Sequence, residues 1–172
     1  GEENVFDLSL GNPVIEPPEE VRKALIVCAQ DEAHGLHRYM PNAGLADVRA
    51  VIAKSLSPEC KVELSSNDVV MVCGAAGGLN ITLKTLLDPG DEVIIFAPYF
   101  VEYLFYADNH GGEAVAVPTL DDFRLNFEAL QNALNEKTKA VIINSPNNPT
   151  GVLYSRQELQ ELARVLKAHS DK

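Results

Sequence analysis

Ala140-Val141-Ile142-Ile143-Asn144-Ser145-Pro146-Asn147-Asn148-Pro149-Thr150-Gly151 reads as a buried strand that runs straight into an irregular loop. The apolar part is nearly continuous, which is the pattern of a strand covered on both faces in a parallel sheet. Turn chemistry alone accounts for the prolines and the glycine that follow. It does not call for a dense set of side-chain amides at that place. In parallel sheets, ligands collect beyond the carboxyl ends of strands, where helix N-termini also point. The loop is therefore a candidate binding element as well as a turn.

Upstream, the same rhythm repeats. Val69-Val70-Met71-Val72-Cys73, Glu92-Val93-Ile94-Ile95-Phe96 and Ala114-Val115-Ala116-Val117 are further short β-rich runs. Helical stretches alternate with them at about Gly78 to Leu87, Phe100 to Asn109 and Asn126 to Leu134. Ser155 with Glu158 three residues on is a capping box that opens a last helix. Strand and helix in alternation predict an α/β fold, a mostly parallel sheet flanked by helices with right-handed crossovers. Before this region, prolines and two acids predict a helix over Glu19 to Gln30. An amphipathic stripe of Leu45, Val48, Ile52 and Leu56 predicts another from Leu45 to Leu56. Val5 to Leu10 reads as an extended arm, broken by Gly11-Asn12-Pro13 and again by Pro17-Pro18.

Composition narrows the function. A net charge of −11 opposes binding to nucleic acid or to an anionic membrane surface. No apolar run reaches membrane-spanning length, and the first residues show no signal-peptide pattern. Cys28, Cys60 and Cys73 are odd in number and far apart, which disfavours a disulfide framework or a zinc site and fits a reducing cytoplasm. The histidines form no i, i+4 pair, so no metal site is expected.

Two further strand-end segments suit a ligand. Cys73-Gly74-Ala75-Ala76-Gly77-Gly78 joins a strand to a helix, and its small residues would let an anion approach free helix amides. It lacks the Walker lysine and the Gly-x-Gly-x-x-Gly spacing, and tight glycine-rich packing is the alternative reading. In Ala97-Pro98-Tyr99-Phe100-Val101-Glu102-Tyr103, Pro98 stops the strand and the aromatics after it suit either a stacked planar ring or the core. Tyr103 and Tyr106 fit a helix face.

Taken in order, Gly11-Asn12-Pro13, the Tyr-x-Pro-x-x-Gly-Leu of 39–45, Gly74-Ala75-Ala76-Gly77-Gly78-Leu79, the Asp-Pro-Gly-Asp-Glu-Val of 88–93, Pro98-Tyr99-Phe100 and Asn147-Asn148-Pro149-Thr150-Gly151 span nearly the whole chain. Together they resemble the class I/II aminotransferases, the aspartate aminotransferase superfamily of fold type I pyridoxal-phosphate enzymes. The resemblance implies pyridoxal 5'-phosphate as cofactor, amino acid and 2-oxo acid substrates with aspartate one candidate donor, and a cytoplasmic homodimer with shared active sites. It implies that Gly74, Ala75 and Ala76 hold the cofactor phosphate through backbone amides and that Phe100 stacks on the pyridine ring. Asn148 would hydrogen-bond the ring 3-oxygen, and Gly11 would contact the substrate carboxylate through its backbone. Tyr39 would reach the neighbouring subunit's phosphate. Residues 1–18 would be an arm of the small domain, and 19–172 the N-terminal portion of the large cofactor-binding domain.

The same resemblance places the Schiff-base lysine, the partner of the pyridine nitrogen and the substrate arginines downstream of residue 172. None of the chain's own lysines lies in a Ser-x-x-Lys setting. The expectation is thus the N-terminal part of an aminotransferase, incomplete as a fold and inactive alone. In relatives later strands insert between these, so the four runs would not all be neighbours. A carbon–sulfur β-lyase, an amino-acid decarboxylase or a cyclopropane-forming synthase would share this half-site. So would a cofactor-sensing regulatory domain beside a DNA-binding module. A nucleotide-binding α/β domain fits less well, for want of its fingerprint glycines and lysine.

Overall fold

A computed structural model of the 172-residue chain describes residues 11, 14–33 and 37–170. The predicted arm at 5–10 and the Asn12-Pro13 part of its turn lie outside the described residues. The element order is α1 (Glu19–Gln30), α2 (Ala46–Cys60), a 3₁₀ turn (Ser66–Asp68), α3 (Gly74–Leu86), β1 (Glu92–Ala97), α4 (Glu102–Asp108), β2 (Glu113–Pro118), α5 (Phe127–Ala133), β3 (Thr138–Ile142) and α6 (Arg156–Ser170).

The three strands form one parallel sheet in the order β2-β1-β3. Its centre, β1, is the most apolar run, and Val93, Ile94 and Ile95 are fully buried. Each such side chain contributes about 1.5–3 kcal/mol relative to exposure. Strand periodicity divides the core into two. Val93 packs with Leu83 and Leu87 from α3 and its end, and with Tyr106 and Ala107 of α4. Ile94 and Phe96 pack on the other face with Val117, Leu125, Leu130 of α5, Tyr154, and Leu162 and Val165 of α6. This division follows from the strand order. The chain moves outward from β1 to β2 through α4, then returns past β1 to β3 through α5. Keeping one crossover hand while reversing direction requires the two helices on opposite faces.

The capping box is present. Ser155 Oγ accepts from the Glu158 amide at 3.2 Å, and Glu158 Oε2 accepts from the Ser155 amide at 2.8 Å. Glu158 is buried and also takes a hydrogen bond from Arg124 Nε at 3.0 Å, which ties the β2–α5 loop to the start of α6. Arg124 holds the Glu158 carboxyl down to about 2; burial opposes this, and the Ser155 amide and hydroxyl assist it. At the other end of the sheet, Asp88-Pro89-Gly90-Asp91 is a turn into β1. Asp91 N donates to Asp88 O at 3.0 Å, Asp88 N to Asp91 Oδ2 at 2.8 Å, and Gly90 N to Gly111 O at 2.8 Å.

Two expectations need correction. The run Val69–Cys73 is not a strand: it is extended, with Met71 N donating to Ala43 O at 3.0 Å, but pairs with none of β1–β3. Its β-branched residues set an extended backbone, but a ladder also needs a neighbouring strand, and β1 already has one on each side. Gly74-Ala75-Ala76 are not a loop ahead of a helix; they are the first turn of α3 itself. The remaining helices agree with expectation within a few residues, apart from α2, which runs on through Pro58 to Cys60.

Candidate active-site edge

Two loops emerge at the carboxyl edge of the sheet, and the N-terminus of α3 points back toward that edge. The loop after β1 carries Phe100 and the loop after β3 carries Asn148. As β1 and β3 are parallel neighbours, these two loops emerge side by side. Helix α3 ends at the opposite edge, where the Asp88–Asp91 turn feeds β1. Thirteen helical residues cover about 20 Å, close to the length of the adjacent strand, so Gly74 returns toward the carboxyl edge.

The α3 terminus presents unpaired backbone donors. Its cap residue, Cys73, makes no side-chain hydrogen bond to the helix, and no acid occupies the first turn. Each of the other five helices has at least one acid there: Glu19 and Glu20, Asp47, Glu102, Glu128 and Glu158. The first amides of α3 therefore lack both a cap and an internal counter-charge, while the helix dipole puts partial positive charge on them. Ala75 and Ala76 are exposed, and a Cβ at Gly74 would meet nothing within 4 Å. The left-handed φ of +70° at Gly74 suits glycine and lets the chain turn abruptly into the helix.

Phe100 is half-buried and meets Tyr103 edge-on, with centroids 5.8 Å apart and planes at 83°. Tyr103 leans in turn on Tyr106, 6.4 Å away. The Tyr106 hydroxyl donates to Glu102, and this bond pushes its ionisation up to about 12, with burial and the Glu102 charge adding to it. Burial raises Tyr103 as well. Both phenols thus remain neutral and fixed behind Phe100, as expected of a helix face.

The two adjacent asparagines differ. Asn147 is half-buried, and its side-chain amide donates to Pro98 O at 3.2 Å and Thr150 Oγ1 at 2.9 Å. Asn148 is exposed; its backbone amide donates to Asn144 Oδ1 at 2.8 Å, and among the described residues its side-chain amide has no partner. Asn148 is therefore the one free to meet a ligand.

The structure does not bring every candidate to this edge. Tyr39 is fully exposed on an open groove of about 340 Å³ with Arg38, Met40, Pro41 and Met71. Gly11 is exposed, with open space around its α-carbon. Sequence reasoning missed Arg49, whose guanidinium donates to Gly44 O at 3.1 Å, Ser66 O at 2.5 Å and Val69 O at 3.4 Å. It clamps the turn after Tyr39 to the segment that leads into Gly74. Nothing in the residue string distinguishes it from a surface arginine of α2. Asn147 stands in the sequence as one of the loop's side-chain amides, and nothing in the residue string shows that its amide is taken by Pro98.

Comparison with known proteins identifies the family. The family model described as aminotransferase class I and II matches residues 3–170. An aspartate aminotransferase of Bacillus subtilis is 36% identical over 168 residues, 96% of this chain and 42% of the relative. A probable aspartate/prephenate aminotransferase of Aquifex aeolicus is 36% identical over 93% of this chain and 40% of its own length. Among solved structures, an amino transferase of Eubacterium rectale superposes with a TM-score of 0.94 at 37% identity, over 99% of this chain and 44% of that one. An aspartate aminotransferase of Thermotoga maritima gives 0.86 at 38% identity, over 97% and 44%. The chain spans about two-fifths of the length of the curated relatives it matches. It belongs to the class I and II aminotransferase family.

Proposed function

We propose that this chain is the N-terminal part of a pyridoxal-phosphate-dependent aminotransferase that moves an amino group from an amino acid to a 2-oxo acid. The observation that carries the reading is the uncapped, acid-free N-terminus of α3 pointing back toward the sheet edge of Phe100 and the unpaired Asn148 amide. These residues fit the cofactor: an anion site, a planar hydrophobic wall and one polar group of adjustable orientation. When bound, pyridoxal phosphate supplies an electron sink for charge that develops on the substrate.

The chain's own residues bind and orient. The amides of Gly74, Ala75 and Ala76 hold the phosphate, and the alanines leave that work to the backbone. Phe100 covers one face of the ring and excludes water from it. The Asn148 amide donates to the ring 3-oxygen and so adjusts the basicity of the group beside it. Gly11 offers its backbone to the substrate carboxylate. Tyr39, uncovered among the described residues, reaches the phosphate bound by a second subunit, so the working unit is a cytoplasmic homodimer with shared sites. Residues 1–18 belong to the small-domain arm and 19–172 to the large domain. Relatives named for aspartate and prephenate make a dicarboxylic amino acid the first donor to test.

The test is reconstitution. The full-length protein should take up pyridoxal phosphate with a visible absorption band and transfer the amino group of aspartate to a 2-oxo acid. Absence of both the band and transfer would overturn the reading. The 172-residue chain alone should show no turnover, for want of a Schiff-base lysine.

A further inference from the structure

The neighbour of the free asparagine carries a second role. We infer that Asn147 is a positioning residue that fixes the spacing between the ring-stacking loop and the ring-oxygen loop, and acts on the cofactor through Asn148. The inference rests on the function proposed above.

The two residues that would contact the ring belong to different loops. Phe100 lies two residues after Pro98, and Asn148 directly follows Asn147. Strand pairing ends at Ile95 with Ile142, so no ladder bond ties the loops beyond it. The tie is the Asn147 side chain. Its amide nitrogen bridges Pro98 O at 3.2 Å and Thr150 Oγ1 at 2.9 Å. A carbonyl oxygen only accepts, so Pro98 O fixes which way the amide faces.

The backbone around Asn147 makes the bridge rigid. Asn147 N donates to Val152 O at 2.9 Å, and Gly151 N donates to Asn147 O at 2.7 Å. Asn144 Oδ1 holds the Asn148 amide at 2.8 Å from the strand side. Residues 148–150 therefore cap a closed turn whose base is Asn147. Its backbone is set within the turn, and its side chain sets the turn against the neighbouring loop. Asn148 has no other side-chain partner among the described residues, so where its amide points depends on that base. Without Asn147 the turn can still close, but its distance from Pro98 and Phe100 is no longer fixed. A displacement of the order of 1 Å suffices to weaken an oriented contact greatly.

The test uses the full-length holoenzyme with Asn147→Ala, Asn148→Ala and the double variant. Asn147→Ser is included as a smaller change that keeps a polar turn residue but cannot reach Pro98 O. The readouts are the pH midpoint of the bound cofactor's visible band, pyridoxal-phosphate affinity, thermal unfolding and amide exchange in the two loops. Asn147→Ala and Asn147→Ser should move the midpoint in the direction of Asn148→Ala, and weaken cofactor binding about tenfold, the loss of one oriented hydrogen bond. The double variant should move it no further than Asn148→Ala does, because residues acting through one contact are not additive. Exchange should quicken in both loops.

A lower unfolding temperature with an unmoved midpoint would mean a merely structural residue and would overturn the inference. Additive shifts in the double variant would overturn it as well, as would faster exchange confined to residues 144–152. A wild-type protein that takes up no cofactor overturns the proposed function and, with it, any role of Asn147 toward the ring. A normal wild type with unaffected Asn147 variants overturns the inference alone.

Discussion

At the residue scale, identity matters less than which partners a side chain has already taken. Asn147 and Asn148 are chemically the same, yet one is spent inside the protein and the other is not. Glycines separate in the same way. Gly44 and Gly74 both have left-handed φ, +95° and +70°, but a Cβ at Gly44 would lie 2.5 Å from Met71 Cγ, whereas one at Gly74 meets open space. Gly44→Ala should therefore destabilise the full-length protein by about 2–5 kcal/mol, overpacking added to conformation, and Gly74→Ala by the cost of conformation alone, about 1–2 kcal/mol. Urea unfolding of both variants checks the order. Glu158 yields a pH prediction. Its carboxyl is held down to about 2 from 4.5, chiefly by Arg124, so the folded state binds its proton less readily than the unfolded chain. The stabilisation is complete above about pH 4.5 and fades as pH falls toward 2. Glu158→Gln should lower stability at pH 7 by about 1–3 kcal/mol and leave a smaller acid-side decline. Unfolding curves between pH 3 and 7 would contradict this if wild type and variant ran parallel.

At the scale of elements, α3 leaves the amides of its first turn without a side-chain cap or an acid. A helix with no cap and no first-turn acid forgoes about 1 kcal/mol for the cap and about 0.3–1 kcal/mol for the charge. Ala76→Glu should restore the second of these, so the apo-protein gains stability slightly while pyridoxal-phosphate affinity falls at least about tenfold through repulsion of the phosphate. Calorimetric unfolding without cofactor and a cofactor titration measure the two effects, which have opposite signs; a loss of both would argue for simple misfolding. The stretch Val69–Cys73 makes the complementary point. Its residues are as strand-like as those of β2, and Val70, Met71 and Val72 remain exposed by 56%, 41% and 39%. Propensity favours an extended backbone; only a neighbouring strand turns it into a sheet.

At the scale of the molecule, the accessible surface is 13326 Å² for 18.7 kDa. A compact monomer of that mass would expose about 8,300 Å². Exposed apolar side chains contribute to that surface. No residue of α1 is buried, and Val21, Leu25, Ile26 and Val27 are exposed, as are Val48 and Val51 of α2. Among the described residues, the outer edges of β2 and β3 have no strand partner. The 172-residue chain by itself should bind a hydrophobic-surface dye strongly and self-associate in gel filtration, whereas the full-length protein should do neither. A monodisperse, dye-silent monomer of the short chain would show that these surfaces find cover within it.

The sequence by itself determined the α/β alternation, the buried centre of β1, the capping box at Ser155 and the family. Each of these rests on local pattern: periodicity, turn chemistry and ordered motifs. The residue string also carried the candidate contacts Gly74, Ala75, Ala76, Phe100 and Asn148 through ordered motifs that resemble those of the family; Phe100 and Asn148 follow strands of the sheet, where a parallel sheet gathers its ligands, and Gly74 follows none. Only tertiary structure decided that Val69–Cys73 stays unpaired, that Arg49 clamps three carbonyls, and that Asn147 spends its amide on Pro98, 49 residues away. The physical reason is common to all three. Whether a hydrogen-bonding group is satisfied depends on what the fold places within about 3 Å of it, and that neighbour is seldom a neighbour in sequence.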